Sequence, residues 1–262
     1  MTIGEVARII EEFAPLSLQE SYDNSGLVVG RADEELRGGI LLAVDVTEEV
    51  IDEAVGLGCG MIVTHHPIIF HPLKRLNSAS VVERCVERAI RENIALYACH
   101  TNLDSVHGGM SWRVGQMLGL HDMRVLQPQQ GADGAGFGVV GSLAEPMPTA
   151  EFLQLIRKTL GVRVIRHSAI AGESVARVAV CTGSGGSLME DARRSGCDIY
   201  VTADLRYNDF FAPGGEFTVA DIGHFESEFC AIGILFDVLS KKITNFALHR
   251  SACATNPVHY FL

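Results

Sequence analysis

Gly58-Cys59-Gly60-Met61-Ile62-Val63-Thr64-His65-His66-Pro67 is the stretch on which the reading of the fold turns. The unbroken apolar run from Met61 to Thr64 reads as a buried strand, the pattern of a sheet covered on both faces. Pro67 cannot donate to a strand ladder, so the strand ends at the histidine pair. Working outward, an apolar strand at Gly39 to Val44 and a helix from about Thr47 to Leu57 come before it. A helix over Ser80 to Glu92 and a strand from Ile94 to Cys99 come after it, and that strand runs into His100-Thr101-Asn102. Strands and helices alternating at this spacing predict parallel α/β units. At the start of the chain, Thr2-Ile3-Gly4-Glu5 has the form of a capping box, with Val6, Ile9, Ile10 and Phe13 as the apolar face of the helix it opens.

The pattern returns 138 residues further on, where Gly196-Cys197-Asp198-Ile199-Tyr200-Val201-Thr202 repeats the Gly, Cys, Val and Thr of Gly58 to Thr64 without a gap. At the same offset Leu41-Leu42 falls on Ala179-Val180 in expected strands, and Glu53-Ala54 on Asp191-Ala192 in expected helices. The expectation is an α/β protein of two similar halves related by internal duplication, residues 1–126 and 127–262. Gln127 to Gly138, rich in Gln and Gly, is expected to be a linker or mobile loop between them. A strand near Val139, a helix from Thr149 to Leu160 and strands near Val162 and Val175 then lead into the second βαβ unit. Ligand sites in such sheets lie beyond the carboxyl ends of the strands, so the site is expected there, between the halves.

Composition narrows the function. With 47% hydrophobic and 20% charged residues the chain has an ordinary globular balance. No apolar run approaches the roughly 18 residues of a membrane span, and Met1 to Pro15, with Glu5, Glu11 and Glu12, does not read as a signal peptide. Thirty-two acids against 21 bases give a formal charge of −11 with no basic run, which disfavours nucleic acid as a partner. Seven scattered cysteines form no CxxC pair. They fit buried free thiols in a reducing, cytoplasmic compartment better than disulfides or a thiolate zinc site.

Three clusters carry chemistry. His65-His66 and the sequence His100 to Asp104 each follow an apolar strand, and His224 with Glu228 follows the strand Phe217 to Ile222 at a spacing that shares one helical face. Imidazole with carboxylate and no thiolate suits zinc, iron or manganese. Five ligands, His65, His66, Asp104, His224 and Glu228, exceed what one ion with an open position takes, and two ions sharing a carboxylate and a water would use them. A lone His is more often solvated and a His-x-x-x-Glu pair is more often a surface pair; it is the coincidence of three clusters at strand ends that favours metal. Gly183-Ser184-Gly185-Gly186-Ser187 lacks a phosphate loop's lysine and reads as a tight turn. Cys99 and Cys230 read as core, and Ser111 has no visible base partner.

On Asp23-Asn24-Ser25-Gly26-Leu27, Thr64-His65-His66-Pro67, His100-Thr101-Asn102-Leu103-Asp104, Gly183-Ser184-Gly185 and Gly223-His224-Phe225-Glu226-Ser227-Glu228, the chain resembles the GTP cyclohydrolase I type 2 homologue family of Nif-three-like dinuclear metal proteins. The resemblance implies metal ligands at His65, His66, Asp104, His224 and Glu228, and a ring-shaped homohexamer whose sites face an internal cavity. Some relatives carry a domain inserted between the halves, for which the fifty or so residues between Leu126 and Val178 leave no room. One departure is Ala203 before Asp204, where relatives often have Gly, with Asn208 where a His often follows. The expectation is a metal-dependent hydrolase of a small molecule by purine-ring opening, amide or phosphoester cleavage, with His100 as proton shuttle or as support behind the metal ligands. The alternative is a non-catalytic protein that stores or delivers metal or scaffolds an assembly.

Overall fold

The computed structural model describes residues 1–253 and 256–261. The chain divides into two compact units, Met1–Val106 with Ala231–Thr255, and His107–Cys230 with Asn256–Leu262.

In the first unit, β1 (Gly26–Val29), β2 (Gly39–Ala43), β3 (Cys59–Thr64), β4 (Ala95–Ala98) and β11 (Leu248–Arg250) form one sheet in the order β1-β4-β3-β2-β11. All pairs are parallel except β1 with β4. Every residue of β2, β3 and β4 is buried, as the apolar runs require. The expected capping box opens α1 (Ile3–Phe13): Thr2 Oγ1 accepts from the Glu5 amide and the Glu5 carboxylate accepts from the Thr2 amide. Thr47 and Ser80 cap α2 (Glu48–Leu57) and α3 (Val81–Arg91) more simply, each side-chain oxygen accepting from one amide, of Val50 and of Glu83. Gly58 ends α2 at φ +68, a left-handed cap that a residue with a Cβ would strain to adopt. Leu41, Ile62, Leu96, Val50 and Ile51, all at most 1% exposed, are the centre of this core. Each buried side chain of this kind contributes roughly 1.5–3 kcal/mol. The short helix α4 (Thr101–Ser105) follows β4.

The second unit contains α5 (Met110–Met117), α6 (Thr149–Leu160), α7 (Met189–Ser195) and α8 (His224–Glu228). Its sheet runs β5 (His121–Pro128), β6 (Gly136–Pro148), β8 (Ser174–Ser184), β9 (Ile199–Ala203), β10 (Thr218–Asp221), β7 (Arg166–His167). Here β8, β9 and β10 are parallel and the remaining pairs antiparallel. The unit β2-α2-β3 and the unit β8-α7-β9 are both parallel βαβ, and Gly196 caps α7 at φ +68 as Gly58 caps α2. This is consistent with duplication at the expected offset.

Three sequence expectations change. Residues 127–138 are not a linker: Gln127 pairs with Phe137 and Pro128 with Gly136, so the glycines serve a hairpin between β5 and β6. The units accordingly part after Val106, not after Leu126, and α9 (Cys230–Ser240) leads the chain back so that β11 pairs with β2 in the first unit. Val162 forms no strand; beyond the Gly161 cap its amide returns to the Arg157 carbonyl, and its side chain, 4% exposed, closes that end of α6 against the core. No described helix is long and apolar enough to cross a membrane.

Candidate functional site

The carboxyl edge of the parallel strands carries the polar residues in each unit. In the first, β2, β3 and β4 lie side by side and release Asp45, His65-His66 and His100. Thr64 Oγ1 donates to the His66 carbonyl at 2.8 Å, and the His66 amide donates to Val44 O at 3.0 Å, which bends the chain at the strand end. Both adjacent imidazoles therefore face the same way, with ring centroids 4.9 Å apart. The His100 ring lies 5.3 Å from His65 and 5.4 Å from His66, and the three offer ligand atoms within 4.8 Å of one another.

Each ring is aimed by a hydrogen bond at Nδ1. Fully buried His65 donates to the Cys99 carbonyl at 2.8 Å, His66 to Asp45 Oδ1 at 2.8 Å, and His100 to Asp23 Oδ1 at 2.7 Å. A carbonyl or ionised carboxylate only accepts, so Nδ1 carries the proton and Nε2 keeps a lone pair, the form in which imidazole binds metal. Asp104, on α4, brings Oδ1 to 3.9 Å from His65 Nε2. Burial alone would raise the Asp23 carboxyl, but the hydrogen bonds from His100 and Thr101 outweigh it and hold it well below the usual carboxylate range.

In the second unit, α8 starts just beyond β10 and places His224 Nε2 2.9 Å from Glu228 Oε2, one helical turn on. His224 Nδ1 is 2.8 Å from Asp204 Oδ2, at the end of β9. Burial lowers the His224 pKa, but the Glu228 and Asp204 carboxylates more than reverse this and push it to about 9. Glu228 is 3% exposed and lies against Gly183, where any Cβ would overlap its Oε1. Ser227 locks the arrangement, its Oγ accepting from the Gly183 amide and donating to the His224 carbonyl. Gly185 has a packing reason too: its carbonyl accepts from Tyr200 Oη, and a Cβ there would overlap Thr202 Oγ1. The Glu226 carboxylate lies beside Gly223.

Of the residues singled out in the sequence, His65, His66, His100 and Asp104 thus gather in one unit, and His224 and Glu228 in the other. The sequence reading missed Asp23, Asp45 and Asp204 as imidazole partners. Asp45 and Asp204 directly follow apolar strands, the same signal that singled out the histidines. All seven cysteines are free, and burial pushes the thiols of Cys59, Cys85 and Cys197 to about 11, against any nucleophilic role.

The family model described as Duf34/NIF3 (NGG1p interacting factor 3) matches residues 1–257. A Clostridium perfringens protein named GTP cyclohydrolase 1 type 2 homolog is 36% identical over 231 residues, 87% of each chain. A Lactococcus lactis protein of the same name is 32% identical over 265 residues, 99% of each chain. Among solved structures, the Bacillus cereus protein related to NIF3 superposes with a TM-score of 0.89 at 24% identity, over 100% of this chain and 99% of that one.

Proposed function

Because this chain belongs to the Duf34/NIF3 family, we propose that it holds two divalent metal ions through His65, His66, Asp104, His224 and Glu228 and acts as a metal-dependent hydrolase. The observation that carries the reading is the orientation of the imidazoles. His65, His66 and His224 each have Nδ1 engaged by an acceptor, so each presents Nε2, and two carboxylates accompany them. A donor set of imidazole and carboxylate without thiolate fits zinc, iron or manganese.

Bound ions would supply Lewis acidity and lower the pKa of a coordinated water toward neutrality. The protein's own part is to hold the ligands in register, with Asp45 and Asp204 fixing two rings, and to offset the positive charge with Asp104 and Glu228. His100 Nε2, beside His65 and His66, is placed to take a proton from the attacking water. The name of the relatives points to a purine nucleotide as one substrate to try, with other amides and phosphoesters alongside.

Metal analysis of protein reconstituted with zinc, iron(II) or manganese(II) tests the reading. Two ions per chain with only nitrogen and oxygen neighbours in X-ray absorption are expected, followed by turnover of one compound in a panel of nucleotides, cyclic amides and phosphodiesters. A stoichiometry of one, or sulfur neighbours, overturns the dinuclear assignment. Two ions without turnover of any panel member would remove the hydrolase and leave a metal-carrying protein.

A further inference from the structure

Asp23-Asn24-Ser25-Gly26 matched relatives in sequence, but no chemical role followed from the residues alone. The geometry points to one. Asp23 has no side-chain exposure, and its two oxygens are filled by donors on every side. Oδ1 accepts from the Asn24 amide at 2.7 Å and from His100 Nδ1 at 2.7 Å. Oδ2 accepts from the Thr101 amide at 3.0 Å, Thr101 Oγ1 at 2.5 Å and Ser25 Oγ at 3.0 Å. Ser25 Oγ in turn accepts from the His100 amide at 3.2 Å. Asn24 Nδ2 reaches across to the Ile69 carbonyl at 2.6 Å, in the loop that leaves His65-His66. The motif therefore fastens the end of β4 and the start of α4 to one buried carboxylate, and the loop after β3 to the neighbouring Asn24.

We propose that Asp23 is a positioning residue that holds His100 in the Nδ1–H form, so that His100 Nε2 is a proton acceptor on the face it shares with His65 and His66 and is not itself a metal ligand. This rests on the hydrolase reading above and gives it a specific proton carrier. Besides His100, four N–H and O–H donors meet the two Asp23 oxygens, an environment that favours the ionised carboxylate, and toward a carboxylate the imidazole donates from Nδ1. When Nε2 accepts a proton, the O–H bond of the attacking water breaks and an N–H bond forms. The resulting imidazolium is then stabilised by the Asp23 carboxylate, which stays ionised. Asp23 holds the ring through Nδ1, while Ser25 holds the backbone amide of the same residue. An amide in place of Asp23 would set its NH2 against the Thr101 or Asn24 N–H, and turning to relieve that clash favours the other tautomer of His100.

The test is the ring-nitrogen spectrum of metal-free protein labelled with 15N-histidine, sedimented for solid-state NMR, with His100 assigned by the loss of its signals in H100Q. The wild type is expected to show a protonated Nδ1 and a bare Nε2 at His100. That result requires no variant to fold, and a protonated Nε2 with bare Nδ1 overturns the proposal. D23N is expected to move His100 toward the Nε2–H form, whereas N24A, which cuts only the tie to Ile69, leaves the spectrum unchanged; equal spectra for D23N and wild type also overturn it. In zinc titrations H100Q should lose less than about tenfold in affinity, the low end of losses from outer-sphere partners. A loss of a hundredfold or more would make His100 a ligand and overturn its assignment as proton carrier. Wild-type protein that takes up no zinc would instead sink the two-ion reading, while the tautomer result would still stand.

Discussion

Gly183 illustrates how much of the candidate site is set by single residues. Its φ of +63 lies in the left-handed region, and the space where its Cβ would stand is taken by the Glu228 carboxylate. Gly183→Ala therefore meets two penalties: about 1–2 kcal/mol for the backbone conformation, and displacement of Glu228 from beside His224. Metal-free G183A should melt below the wild type, and zinc should raise its melting temperature less than it raises the wild type's; an equal zinc-induced rise would show that Gly183 does not set Glu228. Glu228 and Glu226 set the proposed ligand against its neighbour on the same helix. Glu228→Gln keeps the shape but removes a charge, so its zinc affinity should fall by at least the tenfold to hundredfold typical of lost outer-sphere partners. Glu226→Gln should change affinity little, and paired titrations that reversed this order would refute the placement of α8. The histidine doublet and the His-x-x-x-Glu spacing were visible in the chain as written. The carboxylates behind the rings were not, because Asp23 and His100 stand 77 residues apart and only folding brings them to hydrogen-bonding distance.

Among the secondary-structure elements, α2 has a task beyond the core. Its Glu53 carboxylate accepts from Ser251 Oγ at 2.5 Å and from the amides of Ala252 at 2.8 Å and Cys253 at 3.3 Å, which pins the segment after β11 to the first unit. Burial alone would raise the Glu53 pKa; the hydrogen bonds from Ser251, Ala252 and Cys253 outweigh it, and the net shift is downward. A depressed carboxyl pKa stabilises the fold fully above the unfolded value of about 4.3, and that contribution is lost as pH falls through the folded value. Glu53→Gln should cost about 1.5–3 kcal/mol near neutral pH, the range for hydrogen bonds to a charged group. Its deficit in denaturant unfolding should shrink below about pH 4. A gap independent of pH would mean that the charge plays no part. The strands and capped helices were legible because each depends on a few neighbouring residues. The β5–β6 hairpin was not: its Gln and Gly composition also suits a linker, and pairing decides between them.

For the whole molecule, a closed homohexamer is the assembly to test, proposed on the family resemblance. Sedimentation equilibrium at micromolar concentration should give about six times the chain's 28.3 kDa; a monomer would refute it. Assembly of this kind should persist in the H100Q and E226Q variants, which change side chains outside the main cores. The return of the chain through α9 and β11 to the first sheet also belongs to this scale. A fragment of residues 1–106 would lack the edge strand β11 and buried Ile234, Leu235 and Leu239 of the first unit, so it is expected to bury less core than the unit it copies.

The sequence by itself determined the parallel α/β class, the repeated βαβ unit and the placement of the histidine clusters just beyond strands. Those features rest on local periodicity, on caps within a turn of each helix, and on a proline and glycines that stop the elements where they stand. Tertiary structure alone decided where the units divide, which strand β11 joins, and which acceptor holds each imidazole. Those outcomes depend on groups distant along the chain reaching hydrogen-bonding range, at 2.7 Å for Asp23 with His100 and 2.8 Å for Asp45 with His66. A buried carboxylate persists only where packing surrounds it with donors, and no pattern of adjacent residues records that surrounding.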